Sequence, residues 1–244
     1  MRRIRQLARA LAPACLFALS LSVVATARDR FRRLGEDEPK PAANAGRAGL
    51  VALAGPRLRS AAPNLPARTL ERALTAYERA LARGLTTSSV LTIIDYGLPS
   101  TAKRLWVLDV GRGLVLFNEL VAHGKRTGEN LARAFSNRPG SNQSSLGAFL
   151  TGGTYIGKHG LSLRLKGLEP GINDQAEARA IVMHAAKYVN EDVARKLGRL
   201  GRSQGCPAVR PEVAADVIRT IQGGTFLYAY YPDTTFERRS TYLN

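Results

Sequence analysis

Hydrophobic positions recur at helical spacing in one early stretch of the chain and later gather into short runs. Leu70, Leu74, Tyr77 and Leu81 fall three and four residues apart, which predicts a helix over 65–83 with Gly84 as its stop. From Val90 the apolar positions become contiguous and β-branched. Runs at 90–96, 104–110 and 114–122 predict strands, and Gly111-Arg112-Gly113 joins the last two as a hairpin. A further short strand is expected at 162–165. Pro211 opens a second helix with Val213, Val217 and Ile221 on one face and Gly223 as its stop. A final strand spans 225–231 and ends at Pro232.

Three stretches depart from these rhythms. Residues 174–189 carry competing signals: Asp174 and Glu177 have capping-box spacing, whereas 180–183 reads as a short buried strand ending at His184. Residues 123–153 are crowded with Gly, Ser, Asn and Thr and predict long loops with short strands, a kind of segment that often carries function. Residues 28–64 are rich in Ala, Arg, Pro and Gly without an apolar period, so a flexible linker is expected. No internal repeat is visible.

The first 27 residues have the layout of a secretory signal peptide. Arg2, Arg3, Arg5 and Arg9 precede an apolar run over 11–24, and Ala25-Thr26-Ala27 fits a cleavage site. The run is shorter than the roughly 20 residues of a spanning helix. Cleavage after Ala27 is expected, with an uncleaved anchor as the alternative. Charge then gains meaning. The chain has 36 Lys+Arg against 19 Asp+Glu, a net +17, which suits a polyanionic partner. Export to the periplasm or cell envelope argues against nucleic acid and leaves an anionic wall polymer or membrane surface. Export also removes Cys15, so Cys206 is the single thiol of the mature chain and has no partner for an internal disulfide. The 244 residues suffice for one sizeable core.

Cys206 lies in Gly201-Arg202-Ser203-Gln204-Gly205-Cys206-Pro207, where the glycines allow close backbone approach. Arg199, Arg202 and Arg210 surround it in sequence, a setting expected to lower a thiol pKa. A buried structural cysteine is the competing reading. A nucleophilic cysteine needs a base, and the chain offers His123, His159 and His184. Spacing alone does not choose among them. His184 ends an apolar run that would hold its ring rigidly, and it is preferred over His159, which sits between Gly157 and Gly160. Three scattered histidines and one cysteine do not make zinc spacing, so no metal and no cofactor are expected.

Ser203-Gln204-Gly205-Cys206, with Ile181-Val182-Met183-His184 upstream, resembles the catalytic signature of YkuD-like L,D-transpeptidases. Ser144-Ser145-Leu146-Gly147-Ala148-Phe149, Tyr155-Ile156-Gly157-Lys158-His159-Gly160 and Gly167-Leu168-Glu169 extend the likeness toward the murein L,D-transpeptidase catalytic-domain branch, over roughly residues 90–232. Gln204 stands where the family often has histidine, and Ala208 where it often has Arg or Asn.

The resemblance implies a mainly β (α+β) fold, a sandwich or barrel with a few helices. It would follow a signal peptide (1–27), a basic linker (28–64) and a helical lead-in (65–89), with the catalytic domain at 90–232 and a tail at 233–244. It also implies that Cys206 attacks a peptidoglycan stem peptide and forms a thioester, with His184 as base and Ser203 orienting it or lining the pocket. Gly205 and Cys206 would give oxyanion N–H groups, and Tyr155, His159 and Arg202 would face substrate. The acceptor would be an amine, or water in an L,D-carboxypeptidase; β-lactams of the carbapenem type would inhibit. A non-catalytic basic wall-binding protein is the alternative from another class.

Overall fold

The computed structural model of the chain describes residues 47–244. The expected signal peptide, its cleavage site, Cys15 and the first part of the linker lie outside the described residues.

The first element corrects the linker expectation. Helix α1 (Arg47–Ala61) runs where a flexible segment is expected. Its buried positions, Val51, Ala54 and Leu58, do follow a three- and four-residue spacing, continued by Ala62. Small residues and Pro56 inside the helix hide that stripe in the sequence, since proline removes one helical hydrogen bond. Helix α2 (Ala67–Ala82) matches its predicted span, buries Leu70, Ala73, Leu74, Tyr77, Ala80 and Leu81, and ends before Gly84 at φ +67°.

Eight strands follow: β1 (Val90–Asp95), β2 (Lys103–Asp109), β3 (Leu114–Ala122), β4 (Gly147–Gly157), β5 (Gly160–Gly167), β6 (Val182–Ala185), β7 (Ala208–Val209) and β8 (Phe226–Tyr230). They close into a barrel in the order β1-β2-β3-β7-β6-β5-β4-β8, with β8 returning to β1. Most pairs are antiparallel. The exceptions are β1–β8 and β6–β7, which are parallel.

The mainly β expectation therefore holds, and the barrel explains why the strands do not alternate. All of β8 is buried. Phe226 packs on Tyr77 of α2 and Tyr230 donates to Glu237, so the even positions meet helical cover, while Leu227 and Ala229 face Ile94 and Phe149 inside the barrel. A strand covered on both faces reads as a continuous apolar run.

The competing signals at 174–189 resolve in favour of the strand. Residues 169–180 form turns, and β6 begins just after Ala180. Two short helices have no counterpart in the sequence reading. Helix α3 (Glu191–Leu197) is capped by Asn190, which accepts from the Val193 N–H at 2.8 Å. Helix α4 (Pro211–Ile221) opens at its proline as predicted. Helix α5 (Thr234–Arg239) then docks the segment expected as a tail. The buried carboxylate of Glu169 holds it there, accepting from Ser240 Oγ at 2.6 Å and from the Ala148 N–H at 2.7 Å. The Gly167-Leu168-Glu169 phrase thus fastens β4 and the C-terminal segment together.

Candidate active site

Topology brings the sequence-distant candidates to one place. Strand β7 pairs with β6 so that Ala208 lies opposite His184, which sets Cys206 two residues before the register partner of His184. Val182 and His184 share one face of β6 by the strand period of two. Both line an open cavity of about 670 Å³ that also takes in Cys206, Ser203, Tyr155 and Arg202.

The loop that carries Cys206, the candidate nucleophile, is a tight turn. Gly205 sits at φ +126°, and a Cβ there would stand 2.8 Å from the Gln143 carbonyl, so the position suits only glycine. The Ser203 hydroxyl donates to the Cys206 carbonyl at 2.6 Å and accepts the Gly205 N–H at 3.0 Å. Ser144 Oγ donates to the Gly205 carbonyl at 3.0 Å. The Ser203 N–H donates to the His123 carbonyl at 3.0 Å, which ties the loop to the end of β3.

Ser203 lines the cavity, one of its two expected roles, and its hydroxyl braces the loop rather than orienting His184. The Gly205 N–H is committed to Ser203, so of the two expected oxyanion donors the Cys206 N–H is the one with no bond to another of the described residues.

His184 is buried, and its Nδ1–H donates to the Ala185 carbonyl at 2.8 Å. A carbonyl can only accept, so the proton is on Nδ1 and Nε2 is the acceptor. Burial, with the charges of His159 and Lys158, holds the pKa of His184 below its ordinary value. The ring is therefore neutral at neutral pH.

His159 occupies the two-residue turn between β4 and β5, flanked by the Gly157–Gly160 pair, and its ring stacks on that of His184 at 4.3 Å. His123 is different. Arg104 Nη2 donates to its Nδ1 at 2.8 Å and its Nε2–H donates to the Gly128 carbonyl at 3.2 Å. Burial and Arg104 bring its pKa down to about 4, so it is a neutral bracing residue.

The charge setting of Cys206 also differs from the sequence reading. Arg199 and Arg202 pair with Glu129, and Arg210 pairs with Glu119 at 2.7 Å. The cations that act on the thiol are Arg179 and Lys158. Burial outweighs them, together with the Val182 N–H, and pushes the Cys206 thiol above its ordinary pKa. The resting site thus holds a neutral thiol and a neutral imidazole in one cavity. Arg202 lines the cavity wall, but its Nη1 donates to Glu129 and to the carbonyls of Lys125 and Gly128.

Sequence reasoning missed Arg179, Lys158, Asn142 and Ala180, all in the cavity lining. Among the described residues, Asn142 at φ +55° and Ala180 at φ +53° are the two non-glycine residues with left-handed backbone. Such conformations collect at functional sites. Nothing in the sequence sets Arg179 apart from the other basic residues, because its role comes from the turn that carries it.

A family model described as the L,D-transpeptidase catalytic domain matches residues 61–230. No curated protein sequence matches the chain. Similar solved structures include an L,D-transpeptidase from Mycobacterium smegmatis, 15% identical over 59% of this chain and 59% of that one, with a TM-score of 0.38. L,D-transpeptidase 1 of Mycobacterium tuberculosis is 13% identical over 58% of this chain and 61% of that one, with a TM-score of 0.34. The helical cell shape determining protein Pgp2 of Campylobacter jejuni is 11% identical over 69% and 62%, with a TM-score of 0.40. The chain spans about three fifths of the length of these structures. Likeness at this level carries no argument about chemistry; the assignment rests on the family model, whose match covers more than half of the residues. The chain belongs to the L,D-transpeptidase catalytic domain family.

Proposed function

We propose that this chain is an exported L,D-transpeptidase of the cell envelope that works through a Cys206 thioester. The observation that carries the reading is the shared cavity of Cys206 and His184, with His184 Nδ1 tied to Ala185 and Nε2 left to accept. Cys206 Sγ attacks the carbonyl carbon of the third stem residue while its proton passes to His184 Nε2. The Cys206 N–H faces the oxyanion that forms. Collapse breaks the peptide bond, and His184 returns its proton to the departing D-alanine amine. An acceptor amine then attacks the thioester and gives its proton to His184, which passes it to the departing Cys206 Sγ as the new amide forms.

The neutral thiol and neutral imidazole fit this sequence, since proton transfer accompanies attack rather than preceding it. The lining suits an anionic stem peptide. It contains Lys158, Arg179 and Arg202 and, among the described residues, no Asp or Glu. Tyr155 and His159 form the wall beside β6, where they would meet the peptide.

The test is incubation of the mature chain with tetrapeptide-bearing muropeptides, followed by mass analysis. Loss of D-alanine with new crosslinks is expected, and loss of D-alanine that leaves tripeptide stems without new crosslinks would assign L,D-carboxypeptidase activity instead. A carbapenem should add once to the intact mass, because its ring carbonyl mimics the donor carbonyl. Retention of that adduct by Cys206→Ser would remove Cys206 from the mechanism.

A further inference from the structure

Arg179 is placed as no surface arginine would be. It sits in the turn before β6, half-buried, and its guanidinium reaches across to the 136–145 segment with four hydrogen bonds. Nη1 donates to the Ser136 carbonyl at 2.5 Å and to Ser145 Oγ at 2.6 Å. Nη2 donates to the Gln143 carbonyl at 2.6 Å and to Ser141 Oγ at 3.1 Å. A fork that meets four oxygens at once fixes the position of both chains it joins.

The segment so held is the one against which the nucleophile loop packs. Ser144 Oγ donates to the Gly205 carbonyl and accepts the Gly124 N–H, both at 3.0 Å. The Gln143 carbonyl that Arg179 binds is also the atom that limits the space over Gly205. The next residue along the chain is Ala180, at φ +53°, an unfavourable conformation for a residue with a Cβ. Its carbonyl is aimed at the thiol, with Cys206 Sγ 3.7 Å away. A strained turn persists only where its surroundings hold it; here the Arg179 fork adds to the backbone bonds from the Ala180 N–H to the Glu177 carbonyl and from the Ile181 N–H to the Ala176 carbonyl, both at 2.9 Å.

We propose that Arg179 is a positioning residue for Cys206: it locks the 136–145 segment and the Ala180 turn around the nucleophile loop, and it sets a fixed positive charge beside the thiol. The other ionisable groups that act on Cys206 are Lys158, Tyr96 and Tyr188. His184, His159 and Arg202 line the same cavity. Arg179 differs from them in being both charged and immobilised from four sides.

The test separates charge from position. Arg179→Met removes both, whereas Arg179→Lys keeps the charge and loses the fork. Cys206 alkylation by iodoacetamide is followed against pH, carbapenem acylation is followed at pH 7, and a thermal midpoint reports folding. Alkylation needs no wall substrate, so that arm stands whether or not the transpeptidase reading does.

Arg179→Met should move the alkylation profile to higher pH by about 0.5–1 unit and slow acylation by about 10- to 100-fold. Arg179→Lys should restore the profile while acylation stays slow. Ser141→Ala and Ser145→Ala, each removing one fork partner, should slow acylation several-fold without moving the profile, and they give the reading if Arg179→Met does not fold. A folded Arg179→Met with wild-type profile and wild-type acylation overturns the proposal, as do unchanged acylation rates in Arg179→Lys and both serine variants.

Discussion

Replacing His184 by alanine removes the proposed proton acceptor from the cavity it shares with a thiol that stays protonated at neutral pH. An ordinary thiol with a pKa of about 8.5 is only about 3% thiolate at pH 7. Burial pushes Cys206 higher still, so the fraction is smaller. Attack must therefore be coupled to proton removal, and a positioned base is worth about 100- to 10,000-fold, or about 3–5 kcal/mol of barrier.

The sign of the pH dependence follows from His184. Its pKa is held below the ordinary value, so the neutral, accepting ring persists above that lowered pKa and is lost as pH falls through it. Wild-type acylation by a carbapenem, followed by stopped flow and intact mass, should be flat through neutral pH and fall on the acid side. In His184→Ala the acid limb should vanish. The rate should instead climb about tenfold per pH unit toward the thiol pKa, as expected when thiolate alone reacts. His159→Ala should keep the plateau, since that ring stacks on His184 but does not tie its Nδ1. A His184→Ala enzyme with its plateau intact and a rate within a few-fold of wild type would refute the reasoning. Loss of the plateau in His159→Ala alone would exchange the two roles.

Gly205→Ala forces a Cβ to within 2.8 Å of the Gln143 carbonyl and 3.0 Å of Ile181 Cδ1. It should cost about 1–3 kcal/mol in denaturant unfolding and slow Cys206 labelling, and an unchanged midpoint would contradict the built geometry. Leu58→Ala should cost about 2–5 kcal/mol, because Leu58 is fully buried in α1; a cost near zero would return residues 47–61 to the status of a linker. Lys158, exposed at the hairpin tip, has no hydrogen-bond or ion-pair partner among the described residues. Lys158→Ala should raise KM for an acidic stem peptide by a factor of about 5 and leave its C-terminal amide largely unaffected, whereas equal rises for both would exclude carboxylate recognition.

Much of this protein is legible in the chain as written. Helix α2, the early strands and α4 announce themselves, because their apolar positions follow local periods that need no partner to be read. The candidate nucleophile is legible too, since one thiol remains in the expected mature chain and glycines frame it. Family membership follows from ordered phrases around Cys206 and His184, and the family model supports it.

Other features exist only in three dimensions. Helix α1 has a stripe too weakly apolar to see, because alanine becomes core only where another surface comes close. The electrostatics of Cys206 do not follow from its neighbours in sequence: Arg199, Arg202 and Arg210 turn to Glu129 and Glu119, while Arg179 and Lys158 arrive from turns in distant segments. The N–H that serves the loop rather than the oxyanion, the tautomer of His184 and the bracing role of His123 depend in the same way on contacts between distant segments. Local periodicity records which face of an element is apolar. Charge, proton position and hydrogen-bond commitment are set by whatever the fold places within a few ångströms, and barrel closure alone determines that.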